Sequence, residues 1–111
     1  MTAHESVIQA EIRMALSDLG LVFWRNNVGA ARGPATGRVH AYGLAVGSAD
    51  LIGIVDGRFC ALEVKSATGR TTEHQDRWLA LVRRAGGFAC VVRSAADAIA
   101  AVARCRAGGV E

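Results

Sequence analysis

Proline occurs once in the 111 residues, and no Pro-rich or Gly/Ser-rich tract interrupts the chain, which excludes a polyproline rod or a flexible linker between two folding units. The three cysteines, Cys60, Cys90 and Cys105, form no Cys-x-x-Cys pair and match no histidine spacing. That excludes a zinc ribbon and a disulfide scaffold, and points to free thiols in a reducing cytoplasm. No run approaches the roughly 18 apolar residues needed to cross a bilayer, and the start, with His4 and Glu5, lacks a signal-peptide pattern. The expectation is a cytoplasmic chain without a membrane partner. Also missing are Gly-x-x-x-x-Gly-Lys-Ser/Thr, a Gly-x-Gly-x-x-Gly that opens a helix, and Gly-x-Ser-x-Gly, so nucleotide cradles and a serine nucleophile are excluded.

What remains is 51% apolar residues, enough for one core, and 13 Lys and Arg against 10 Asp and Glu, a net charge of +3. The length and the absence of a linker imply one domain over 1–111. A modest basic excess permits nucleic-acid binding without requiring it.

The most informative stretch is 48–65. Two β-branched-rich runs flank Asp56-Gly57, the dipeptide that suits a two-residue hairpin turn because both positions tolerate positive φ. With that turn, 54 pairs with 59, 52 with 61, and Asp50 falls opposite Glu63. Opposed carboxylates on one face lie roughly 5 Å apart and repel unless a cation stands between them. Lys65 shares the face of Glu63, while Cys60, Leu62 and Val64 point the other way. A divalent metal beside Lys65 resolves the conflict; the competing reading is an ordinary hairpin with Asp50 beyond the sheet and a solvated Glu63–Lys65 pair.

Before the hairpin, Thr2 and Glu5 have capping-box spacing, and Ile8, Ile12, Ala15, Leu16 and Leu19 recur at helical period until Gly20. Glu5 projects near the centre of that apolar stripe. Residues 21–26 read as a strand. Residues 27–47, with five glycines, Arg32, Arg38 and His40, read as a mobile basic loop whose arginines either contact phosphates or are simply solvated. After the hairpin, Thr71 or Thr72 caps a helix through Trp78, Leu79 and Val82 to Gly86-Gly87, with Gln75 placed to close a second capping box. A strand at 88–93 then implies a parallel crossover. Ser94 and Asp97 start a last, alanine-rich helix.

This order, with Asp50, twelve residues, then Glu63-Val64-Lys65, resembles the PD-(D/E)XK nuclease superfamily. The wider wording, Gly47-Ser48-Ala49-Asp50-Leu51, Glu63-Val64-Lys65, Gln75 and Val91-Val92-Arg93, resembles the VRR-NUC family over nearly the whole chain. Two departures stand out: Ala49 replaces a proline common before the aspartate, and the signature is Val-Val-Arg-Ser rather than Val-Arg-Arg. Neither touches a metal ligand.

The resemblance implies an α/β fold with a restriction-endonuclease-like αβββαβ core, a mixed central sheet and one added C-terminal helix. It implies a DNA endonuclease using Mg²⁺ or Mn²⁺ on Asp50, Glu63 and the Val64 carbonyl, with Lys65 at the phosphate. Glu5 is then a metal-site glutamate as well as a cap, Gln75 a site-proximal glutamine, and Arg32, Arg38 and Arg93 backbone-phosphate contacts. Stand-alone members are typically homodimers acting on branched DNA, Holliday junctions included; here Trp78, Leu79 and Val82, or the last helix, offer apolar area for an interface. The alternative is a catalytically silent module of the same fold that binds nucleic acid or protein, and metal-dependent cleavage discriminates the two.

Overall fold

In the computed structural model, which describes residues 2–111, Asp56 and Gly57 take φ values of +51° and +79°, the left-handed pair a tight hairpin requires. The turn joins β4 (Leu51–Val55) to β5 (Arg58–Val64), with Ile54 opposite Phe59 and Ile52 opposite Ala61 as the spacing predicts. The ladder ends at Leu51 and Leu62. Asp50 therefore lies one residue before the strand rather than in a regular cross-strand pair.

Two further strands complete the sheet in the order β1-β4-β5-β6: β1 (Val22–Arg25) is antiparallel to β4, and β6 (Phe88–Val92) is parallel to β5. The parallel step is possible because α2 (Glu73–Arg84) carries the chain back between β5 and β6. On one face, Leu51, Leu62, Phe88 and Val92 pack under α1 (Ala3–Asp18) and α3 (Ala95–Arg106), which bury Ile12, Leu16, Ala98 and Val102. The other face has small residues, Ala61 and Ala89, that let Leu79 of α2 approach closely. All three cysteines are buried and free.

The α/β class, mixed sheet and C-terminal helix agree with the sequence reading. Residues 27–47 do not. Instead of an irregular loop they contain β2 (Gly29–Arg32) and β3 (Val39–Tyr42), an antiparallel hairpin separate from the main sheet. Its strands carry little apolar alternation, so the pairing left no periodic signal. Backbone bonds hold the tip, with Gly33 N–H donating to the Arg38 carbonyl at 2.7 Å.

The apolar residues expected at an interface mostly pack inward. Leu79 is buried, and Trp78 and Val82 lie against the second core. One cluster of exposed apolar residues lies instead on the part of the sheet beyond α2, where Val22, Ile54 and Phe59 are consecutive cross-strand neighbours and Trp24 is close by. At the far end of the sheet the C-terminal tail is pinned: Ala89 N–H donates to the Val110 carbonyl at 2.9 Å, and Arg58 donates to the Cys105 carbonyl at 3.2 Å. No helix among the described residues is long and apolar enough to cross a membrane.

Candidate active site

Where β4 begins and β5 ends, Asp50, Glu63 and Lys65 come together. Asp50 is held from its own side: Asn26 donates through its side-chain amide to Ser48 Oγ at 2.7 Å and the Ala49 carbonyl at 3.0 Å, and its backbone N–H reaches the Asp50 carbonyl at 2.8 Å. The Asp50 carboxylate then crosses to β5, where Oδ2 accepts the Val64 N–H at 2.8 Å. Gly47 permits this approach. Its φ is +85°, and a Cβ there would meet the His74 carbonyl oxygen at 2.5 Å, so only glycine lets the segment pass this close to the start of α2.

Glu63, 2% exposed, projects from β5 toward the same point. Its Oε1 accepts the Gln75 side-chain amide at 3.0 Å and lies 3.8 Å from Lys65 Nζ. Its Oε2 is buried with no hydrogen-bond partner. Burial, and then the neighbouring Asp50 carboxylate, push the Glu63 carboxyl up to about 8. Gln75 does two jobs with one side chain, because its Oε1 also accepts the Thr72 N–H at 2.9 Å and closes the α2 capping box. Asp50, Glu63, Val64, Lys65, Gln75 and Glu5 line one cleft of about 80 Å³.

A buried carboxylate oxygen with no partner is rare in a folded protein, because the lost hydration is not replaced. Two carboxylates converging on one cleft supply hard oxygen donors, so the residues fit a divalent cation such as Mg²⁺. Among the described residues, no third His, Cys, Asp or Glu joins them closely enough to make a three-side-chain metal cluster. Asp50 and Glu63 are the side chains of the cleft that would hold such an ion.

Glu5 lines the cleft, but both its oxygens are engaged: Oε1 accepts the Thr2 N–H at 3.2 Å and Oε2 the Ser66 N–H at 3.3 Å. Burial raises its carboxyl, and the backbone N–H groups of Thr2 and Ser66, with Lys65, outweigh that and leave it below its ordinary value. Arg93 reaches the same turn, donating through Nη1 to the Ser66 carbonyl at 2.6 Å and the Gly69 carbonyl at 2.8 Å. The two residues expected at the metal and at DNA thus converge on the turn after Lys65. On the β2–β3 hairpin, Arg32 and Arg38 are exposed, and Arg32 Nη1 donates to the Gly37 carbonyl at 2.6 Å. Neither arginine lines the carboxylate cleft.

A family model described as the VRR-NUC domain matches residues 3–96, most of the chain and every cleft residue named above. The chain belongs to the VRR-NUC family. No curated protein matches it. The VRR-NUC domain is a PD-(D/E)XK-like nuclease domain, a class that typically uses divalent metals, and this membership implies nucleic-acid binding.

Sequence reasoning overlooked Gln9 and Asn26. Gln9 is 5% exposed and belongs to the buried α1 stripe of Glu5, Gln9, Ile12 and Leu16. A glutamine one helical turn after an inward glutamate, on a stripe that is otherwise apolar, was the available signal. Asn26 carried none, since its role depends on a contact 22 residues away.

Proposed function

We propose that this VRR-NUC domain is a DNA endonuclease that hydrolyses phosphodiester bonds with Mg²⁺ or Mn²⁺ and favours branched DNA, as a Holliday junction resolvase does. The observation that supports it most is the buried, unpartnered Oε2 of Glu63 beside Asp50. A divalent cation held by Asp50, Glu63 and the Val64 carbonyl would acidify a water and offset charge on the phosphate.

The chain's own residues do the rest. Lys65, whose side chain is 12% exposed, keeps its ammonium at the cleft, where it contacts the phosphate and orients the attacking water. Gln75 fixes the orientation of Glu63, and Asn26 that of the segment carrying Asp50. Arg38 and Arg32 extend from the separate hairpin to backbone phosphates, contacts that position DNA without reading its sequence.

A homodimer completes the proposal, because resolving a junction takes two symmetric nicks and each chain carries one centre. The open sheet face of Val22, Trp24, Ile54 and Phe59 supplies its apolar contact. The reduced, buried cysteines suit an enzyme of the cytoplasm of a bacterial or phage-infected cell.

The test is incubation with labelled four-way, flap and linear duplex DNA in Mg²⁺, Mn²⁺ and EDTA, with light scattering at the assay concentration. Metal-dependent cutting that favours the junction, by a dimer, is the expected result. A monomer that cuts linear DNA equally well defeats the resolvase reading, and no cutting in any metal defeats the enzyme.

A further inference from the structure

Next to the carboxylate cleft, and sharing Asp50 with it, is a second and larger compartment of about 350 Å³. Its walls come from three elements: Gln9 from α1, Arg25, Asn26 and Asn27 from the end of β1 and the turn beyond it, and Tyr42 from β3. We propose that this compartment seats one unpaired nucleotide adjacent to the phosphodiester at the nuclease centre. The proposal rests on the nucleic-acid-binding reading of that centre and adds what the substrate must present there.

Five observations carry it. Gln9 is 95% removed from solvent, yet among the described residues its amide makes no hydrogen bond, and it faces this compartment. The amide is the part of Gln9 still open to solvent, so it is free to bond a group that enters the compartment. The amide N–H groups of Asn26 are already held by Ser48 and Ala49, but the lining includes the carboxamides of Gln9 and Asn27, which offer donors and acceptors together. That is the chemistry that reads the edge of an unstacked base. Arg25, at the rim, is suited to a backbone phosphate.

Tyr42 supplies a flat face. It is 51% exposed, and it pairs across the hairpin with Gly29, where an added Cβ would come within 2.8 Å of the ring carbon Cζ. Glycine at 29 therefore gives the ring its place. Aromatic faces of this kind stack single bases with little regard to sequence. The volume is also decisive: it lies in the roughly 300–1,000 Å³ range of small-ligand pockets, adequate for a nucleotide and too small for a base pair in its duplex.

The test is fluorescence anisotropy in EDTA with two duplexes that differ only in one unpaired nucleotide. Because no metal is present, the readout does not depend on whether the chain cuts. The duplex with the unpaired nucleotide should bind roughly tenfold more tightly, the scale of one base–aromatic stack. Tyr42→Ala and Gln9→Leu should each remove most of that preference, and Gly29→Ala should weaken it by displacing the ring. Tyr42 is exposed, so its variant keeps the test open if Gln9→Leu fails to fold. Equal binding of the two duplexes by the unaltered protein, or a preference that survives both Tyr42→Ala and Gln9→Leu, overturns the proposal and leaves the nuclease centre standing.

Discussion

Gln75 donates to Oε1 of Glu63 at 3.0 Å, and the other oxygen of that carboxylate is left buried without a partner. The helix cap and the carboxylate cleft thus share one side chain. Gln75→Ala should lower stability by roughly 0.5–1.5 kcal/mol, the worth of one hydrogen bond, and also weaken divalent-metal binding. Urea denaturation and metal titration by calorimetry measure the two effects; a stability loss with unchanged metal affinity would reduce Gln75 to a cap.

Glu63 is a liability in the metal-free chain. Glu63→Gln removes the buried charge while keeping the shape, so at pH 8 in EDTA the variant should melt at a higher temperature than the unaltered protein and yet cut nothing. A lower melting temperature would mean that the charged form is already compensated by protein groups.

The pH dependence of stability follows from the same residue. Its folded pKa is raised from 4.5 to about 8, so between those values the folded state holds a proton that the unfolded chain releases. Stability from this group is fully present below about pH 4.5 and is lost as pH rises through about 8. Glu5, shifted the other way, withdraws its contribution only as pH falls below its unfolded value, so the two windows separate. Melting in EDTA should decline from pH 5 to 8.5, and Glu63→Gln or added Mg²⁺ should flatten the decline. A flat profile for the unaltered, metal-free protein would refute it.

Arg93 and Glu5 hold one turn, through the carbonyls of Ser66 and Gly69 and the N–H of Ser66. If Arg93 acts by bracing Lys65, Arg93→Ala should slow cutting while leaving the salt dependence of DNA binding unchanged; loss of a phosphate contact would instead reduce the salt slope by about one. Combined with Glu5→Gln, its effect should be less than additive, since both variants release the same turn.

The hairpin was legible because Asp56-Gly57 fixes a two-residue turn, and with it every register position up to Leu51 and Leu62. All three helix starts carried a capping signal, and all three caps formed. The destinations of Arg93 and Asn26 were not legible, because each is set by partners more than 20 residues away that come near only once the sheet is assembled. Glu5 was placed correctly on the inward face, but its bond to Ser66 spans 61 positions and leaves no trace in local spacing. Gly29 and Tyr42 were hidden for a different reason: their strands pair only with each other, and this detached hairpin buries too little to impose alternation.

The pinned tail has a practical use. Val110 bonds β6 at Ala89, which is level with Ala61 of β5, on the side of β6 away from β5. A dye or a surface tether attached after Glu111 therefore leaves from the outer edge of the sheet, with β6 between it and the carboxylates of the β4–β5 side, and single-molecule recordings can be made from that anchor.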